Sequence, residues 1–407
     1  MYTRIVVAID NSTYSRIAET VALEIARAGK IPVTGVHAYT GNFHRTRFSA
    51  LESHLPEKYQ NEDVISHQRD VHSVLITRGL ELISLEYMKY LAEGCQSANI
   101  PFTNTIIDGK NADVVIDASA HDGLTVMGAE GLGRIEGISG LGSTTRRTLR
   151  HAKCDLLIAK KAGPIRSILA GVDGSNEAFS MIGTASDLAR ILGATLTIAA
   201  GYDTGLHRTV FGSLSATLSK EAGNVFKFSE QEELHNNIID RSLADLYTRH
   251  LEHAQEIAND HGIKAETRLM QGKPFLILSS LAEELGINLV VIGHSGMHRS
   301  KYSDIGSNTE RVVEMVKTNV LVVRNHVQDL VTPGEVMNNS IRGTESDTEP
   351  VLQPAIIWSE EAKKRLENVP GFARPMAIMA IERYAREHKI TIITPEIMNS
   401  AREKLGI

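Results

Sequence analysis

The feature that most constrains this chain is that it contains the same stretch twice. "RIVVAID" at Arg4–Asp10 returns as "ILAGVD" ending at Asp173. "HRTRFSAL" from His44 returns as "HRTVFGSL" from His207, and "IIDGK" ending at Lys110 returns as "LMQGK" ending at Lys273. All three pairs stand 163 residues apart. Chance does not put three anchors on one offset, so residues 1–161 and 165–324 are read as two copies of one domain. Glycines late in each copy follow with a small slip, Gly128 with Gly293 and Gly142-Ser143 with Gly306-Ser307.

Each copy alternates strand-like and helix-like periods. In the second copy strands are expected at about 167–172, 195–200, 265–270, 288–292 and 320–323. Helices are expected at about 175–192, near 230–261, from Pro274 and from Ser307. Serine at a cap and proline at a first helical position mark the starts. The strands are unbroken apolar runs, as strands buried on both faces must be. Strands separated by helices imply a parallel sheet with right-handed crossovers. The expected fold class is therefore α/β: two doubly wound parallel-sheet domains in tandem, followed by a small all-α C-terminal module. The two copies are expected to pack face to face as an intrachain pseudo-dimer, with further homo-oligomerisation of the whole chain.

The balance of charge narrows the partners. A net charge of −6 gives no basic field for nucleic acid. Cys95 and Cys154 form no redox or metal motif and suit a reducing compartment. The first residues enter a strand-like run at once, and no apolar stretch reaches transmembrane length. The expected location is the cytoplasm, with no membrane partner.

In a doubly wound sheet, ligands bind beyond the carboxyl ends of the strands. Asp173, Lys273 and the loop "GHSGMHRSKYSDIGSN" from Gly293 all fall there. A glycine loop between a strand and a helix brings bare backbone N–H groups near an anion, and Ser307 heads a helix whose positive end favours phosphate. His298, Arg299 and Lys301 add cations inside the loop. The spacing fits neither a P-loop nor a dinucleotide fingerprint. A plain tight crossover would also use these glycines.

Gly293-x2-Gly296-x9-Gly306-Ser307, with Asp173 at the end of the first strand, resembles the ATP-binding branch of the universal stress protein family. The resemblance covers both copies. It implies an adenine-nucleotide alpha-hydrolase-like fold that holds ATP or ADP, with Mg²⁺ as a companion ion. Carried over residue by residue, it assigns nucleotide contacts to Asp173, Ile292, Gly293, Gly296, Gly306, Ser307 and Asn308, and Lys273 lies at the same end of the sheet. In the first copy Asp10, Gly128, Gly131, Gly142 and Ser143 are the matching positions. That copy departs from the pattern: ten residues rather than nine separate Gly131 from Gly142, and Glu130 and Glu136 face a single Arg134. Carboxylates beside a triphosphate repel it, so the second copy is the better site.

Each copy also carries a long segment between its second and third strands. His44 pairs with His207, Gln68 with Gln231 and His72 with His235 at the common offset, with Glu62 or Glu230 near. Imidazoles beside carboxylates ligate zinc and other transition metals. Helix capping, or pinning of the segment, is the structural alternative. In the first copy Val71, Leu75, Leu82 and Leu85 lie on one stripe of an amphipathic helix.

Residues 325–354 are rich in Pro, Gly, Ser, Asn and acidic residues and read as a linker. Residues 355–407 read as three helices: one capped by Ser359, one over about 373–388 after a Pro370-Gly371 turn, and one opened by Thr394-Pro395. "WSEEAKKRLENVPGFAR", "IERYARE" and "ITPEIM" are similar to the small C-terminal domain of the B subunit of light-independent protochlorophyllide reductase. Two cysteines cannot supply an iron–sulfur cluster, so no reductase activity is carried over. The module is expected to dock on a protein partner, on the tandem domains or on a tetrapyrrole-like ligand. Phe372, Arg374 and Tyr384 are ligand candidates, though core packing also accounts for Phe372 and Tyr384.

The leading functional expectation is an ATP/ADP-binding regulatory or scaffold protein. Any ATPase activity would be weak, because no general base or Walker-type Mg²⁺ set accompanies the loop. The alternatives are a metal- or tetrapyrrole-binding accessory protein and a slow nucleotide-hydrolysing or adenylyl-transferring enzyme in which Lys273 and His298 stabilise phosphate charge.

Overall fold

The computed structural model describes residues 1–56, 59, 61–119, 123–133, 140–203, 213, 240–297, 304–324, 357–367, 378, 381, 384, 385, 388 and 390–405. They fall into two compact units, one holding both repeats and one holding the C-terminal residues.

In the first repeat β1 (Ile5–Ala8), α1 (Thr13–Gly29), β2 (Val33–Tyr39), α2 (Gly41–Leu51), α3 (Glu62–Ser97), β3 (Phe102–Asp108), α4 (Asn111–Ala118), β4 (Leu124–Gly128), α5 (Ser143–His151) and β5 (Asp155–Ala159) follow in order. The second repeat gives β6 (Ser167–Val172), α6 (Asn176–Leu192), β7 (Thr195–Tyr202), α7 (Asp240–Asp260), β8 (Glu266–Gln271), α8 (Pro274–Glu284), β9 (Leu289–Gly293), α9 (Ser307–Met315) and β10 (Asn319–Val323). The helix starts obey the capping rules. Ser12 and Ser175 accept from Ser15 N and Ala178 N at the heads of α1 and α6, and Pro274 opens α8. β4, β5 and β10 are buried at every residue, which is why their sequences do not alternate.

The ten described strands of the repeats join in one sheet, in the order β3-β2-β1-β4-β5-β10-β9-β6-β7-β8. Every pairing inside a repeat is parallel. The repeats meet where β5 and β10 pair antiparallel, Leu156 with Val322, Leu157 with Leu321 and Ile158 with Val320. This corrects the face-to-face expectation: the intrachain pseudo-dimer is joined edge to edge, each copy using the other to cover a strand that would otherwise present unpaired N–H and C=O groups.

The seam is reciprocal in detail. Asn319 Oδ1 accepts from Lys160 N (2.9 Å) and Lys161 N (3.1 Å), while Asp155 Oδ1 accepts from Arg324 N (2.7 Å). Lys160 Nζ donates to the carbonyls of Val313 and Val316 (2.5 Å to the latter) at the end of α9. Arg324 Nη2 does the same for α5 at Leu149 (3.4 Å) and Arg150 (2.7 Å). Each last strand thus carries a cation onto the negative end of the other repeat's last helix.

In the C-terminal unit α10 (Glu360–Glu367) and α11 (Pro395–Leu405) accompany two short strands, β11 (Ile357–Trp358) and β12 (Ile392–Ile393), which pair in parallel. Ser359 caps α10 as expected, accepting from Ala362 N (3.2 Å). The unit is helical but not all-α, because the β-branched run Ile392-Ile393 favours an extended ladder over a helix start. Ala362, Leu366, Ile381, Ala385, Ile393, Met398 and Ala401 form its core, with Tyr384 packed against them. Phe372, Arg374, most of the expected middle helix and the 325–354 linker lie outside the described residues.

Candidate functional site

The strand order reverses direction between β6 and β9 in the second repeat and between β1 and β4 in the first. A crevice opens at the carboxyl ends of strands at such a point. Asp173 follows β6 and Gly293 ends β9, so the sequence-predicted residues flank it.

Asp173 ties the site together. Its Oδ1 accepts from Ser175 N (3.0 Å) and Ser175 Oγ (2.6 Å), and its Oδ2 accepts from Met297 N (2.8 Å), which belongs to the loop after β9. A Cβ at Gly296 would lie 2.2 Å from Asp173 Oδ2, so only glycine lets the loop close on the carboxylate. The chain's own Asp173 therefore explains one glycine of the pattern. The loop is closed again at its other end: Gly306 N donates to His294 O (3.0 Å) and Thr309 Oγ1 to Gly293 O (2.8 Å). Gly306 is the N-cap of α9 and supplies no side-chain cap. The first N–H groups of that helix consequently have no capping oxygen from their own N-cap. Ser307 and Asn308 are exposed there, and Ile292 is buried, which leaves it only its backbone to offer a ligand.

The first repeat reproduces this frame. Asp10 Oδ1 accepts from Ser12 N (3.0 Å) and Oδ2 from Leu132 N (3.2 Å). A Cβ at Gly131 would sit 2.5 Å from Asp10 Oδ2. Gly142 N donates to Ala129 O (2.8 Å) and Thr145 Oγ1 to Gly128 O (2.9 Å). Ser143 heads α5 behind Gly142, again with no side-chain cap. Gly128 has a packing duty of its own, since a Cβ there would meet the Tyr14 backbone at 2.7 Å.

Lys273 is not brought beside Asp173. It is the exposed N-cap of α8, at the end of β8, and β8 stands two strands from β6, a spacing of about 10 Å. His298, Arg299 and Lys301, with Arg134 and Glu136 of the first loop, lie outside the described residues.

One group near the second site escaped the sequence reading. His250, on α7, lies against Gly174: a Cβ there would be 2.2 Å from its Cε1, and Gly174 itself has φ +86. Tyr247 and Phe179 meet the imidazole edge-on, with centroids 5.3 and 6.1 Å away, and Tyr202 lies 6.3 Å from Tyr247. Burial pushes the His250 pKa down, against the pull of Asp173, which favours the neutral ring. Its buried Nδ1 has no hydrogen-bond partner among the described residues. The repeat offset carried a signal for this cluster, because it pairs Tyr202 with Tyr39, His250 with Tyr87 and His253 with Tyr90, rings with rings.

Of the predicted metal histidines, His207 and His235 lie outside the described residues. His44 is exposed on α2, and His72 on α3 stacks on Phe48 with centroids 4.6 Å apart. Among the described residues no group of three His, Cys, Asp or Glu side chains is placed to hold a metal ion. No described helix is long and apolar enough to cross a membrane.

The profile of the universal stress protein family matches residues 1–160 and 164–324. The chain belongs to the universal stress protein family. A putative universal stress protein of Staphylococcus haemolyticus is 33% identical over 161 residues, which cover 39% of this chain and 84% of that one. A universal stress protein structure from Archaeoglobus fulgidus, 15% identical, covers 81% of this chain and 99% of its own with a TM-score of 0.49. Residues 358–402 match the proto-chlorophyllide reductase 57 kD subunit family. The B subunit of light-independent protochlorophyllide reductase from a Synechococcus strain is 45% identical over 51 residues, 12% of this chain and 10% of that protein. The match spans about a tenth of that reductase subunit's length.

Proposed function

We propose that the second repeat binds ATP or ADP and that the chain works as a nucleotide-dependent regulatory or scaffold protein. The observation that carries this reading is the doubly closed loop. Asp173 draws in Met297 N and Gly296 at one end, and Gly306 leads into an α9 N-terminus whose cap offers no side-chain oxygen at the other. Such an N-terminus is complementary to phosphate, and the rings of Tyr247 and His250 lie within reach of the Asp173 charge, with Tyr202 next to Tyr247, where a base would stack. Mg²⁺ would arrive with the triphosphate. Turnover is slow in this reading because the sequence sets no Walker-type Mg²⁺ ligand set beside the loop.

Mass spectrometry of the natively purified, unsupplemented full chain tests it. One adenine nucleotide per chain is the expected result. Two per chain would extend the site to the first repeat, and a chain that neither copurifies with nor takes up nucleotide would refute the reading.

A further inference from the structure

α3 is 36 residues long, about 54 Å, and much of its outer face has no partner among the described residues. Its inner face meets α1, α2, β2 and β3 through residues such as Ile65, Ser84, Met88, Leu91 and Cys95. Its outer face carries Val64, Val71, Leu75 and Leu82, exposed at 38%, 47%, 65% and 67%, with Val74 and Leu85 beside them. Steps of seven, four and seven residues put the first four within about 40° of one line along the helix. An apolar line of this kind is a seam for another helix.

We infer that this seam joins two copies of the chain, α3 against α3, antiparallel about a two-fold axis. The spacing selects that occupant. Val64, Val71, Leu75 and Leu82 are symmetric about position 73, nine and two residues to either side. A two-fold antiparallel pair requires such self-complementarity, since residue i must meet j while j meets i. Val64 then faces Leu82 of the second copy and Val71 faces Leu75, so each contact joins a smaller side chain to a larger one. Flanking Arg78 falls opposite Gln68, whereas a parallel pair would set Arg78 against Arg78. The area is also adequate. The exposed apolar side chains of this face present roughly 400 Å² per chain. If apolar atoms make up about 60% of an interface, two such faces bury about 1,300 Å², within the range of stable specific contacts. The β5 edge, already paired with β10 inside the chain, is not available for association.

Sedimentation velocity on the full chain tests the inference. The protein should be a dimer, and Leu75→Glu with Leu82→Glu should weaken dimerisation at least ~100-fold while leaving circular dichroism and thermal unfolding unchanged. Cysteines placed on the seam fix its direction, since Cys95 and Cys154 are buried and do not compete. On oxidation, a mixture of Val71→Cys and Leu75→Cys chains should cross-link where neither variant does alone. A monomeric wild type would overturn the inference, as would a dimer indifferent to both glutamates. Efficient linking of Val71→Cys chains to one another would refute the antiparallel arrangement.

Discussion

The two repeats share a frame and differ in what they build on it. In each, an aspartate after the first strand holds a serine-capped helix with one oxygen and the fourth-strand loop with the other. In each, a threonine in the last helix closes the loop from behind. The residues around that frame have diverged. Where the second repeat has Gly174, the first has Asn11, which takes the same left-handed turn at φ 62. Where the second has His250 against Gly174, the first has Tyr87 edge-on to His37. Under α1 the first repeat buries Glu19 at the position held by Ile182 in the second. Duplication has kept the clasp that shapes the loop and released the side chains that would choose a ligand.

Cutting the clasp in each repeat separates the two sites most strongly. Asp173→Ala removes the acceptor of Met297 N and both bonds from Ser175, charge-assisted contacts worth about 1.5–3 kcal/mol each. Isothermal titration with ATP should show affinity falling on the order of 100-fold. Asp10→Ala should leave the stoichiometry and affinity of the second site intact. Equal losses from the two variants would mean that the repeats bind as one unit, and the comparison would have to be redrawn.

A second contrast lies at the seam, where Lys160 and Arg324 perform matching tasks at different cost. Burial presses the Lys160 pKa down from 10.5 to about 8, against the opposing pull of Glu314. Arg324 keeps its charge and also places Nη2 2.6 Å from His294 Nε2, in the loop after β9. Denaturant unfolding of the full chain should show Arg324→Met destabilising the tandem unit by about 2 kcal/mol, through the α5 C-terminal carbonyls and the His294 ring left without a donor. Lys160→Met should fall within about 1 kcal/mol of wild type at pH 7, because removing a buried charge recovers its desolvation cost. The folded pKa lies below the unfolded one, so the unfolded chain binds more protons between pH 8 and 10.5. Lys160 therefore makes stability rise with pH across that window, and Lys160→Met should remove the rise.

Much of this arrangement was legible in the sequence. The repeat offset and the apolar runs located the strands of the second copy to within a residue or two, because buried parallel strands and serine- or proline-headed helices leave strong local signals. That Asp173 and the loop glycines come together was legible for the same reason, since both are confined to strand ends. The antiparallel seam was not: β5 and β10 read like any other buried strand, and edge pairing depends on which face of a second domain is offered. Nor could the order of the sheet be read without coordinates, so Lys273 seemed nearer to Asp173 than a position two strands away allows. His250 reaches Gly174 only through the packing of α7 on β7, a contact with no local spacing to betray it.

The smallest effect sharpens the comparison beneath the sites rather than in them. Glu19 is fully buried in α1, with Arg16 Nη1 3.1 Å from Oε2 and Ser15 Oγ 3.5 Å from Oε1. Burial raises its pKa from 4.5 to about 7. Arg16 and Ser15 oppose that rise, and the charge of Asp10 adds to it. The sign follows from linkage: an acid whose folded pKa is raised favours folding while protonated, so the benefit is complete below pH 4.5 and is lost as pH climbs to about 7. Glu19→Gln keeps the shape and one accepting oxygen for Arg16 without the charge. It should stabilise the protein by about 1 kcal/mol at pH 8, after allowance for the partly exposed Arg16 partner, and change little at pH 4.5. Ile182→Val, at the matching place in the second repeat, should cost about 1 kcal/mol at every pH because only packing is touched. If unfolding followed from pH 4.5 to 8 gave parallel curves for wild type and Glu19→Gln, ionisation under α1 would not distinguish the repeats. A converging pair would place a proton-sensitive group under Asp10 that Asp173 lacks.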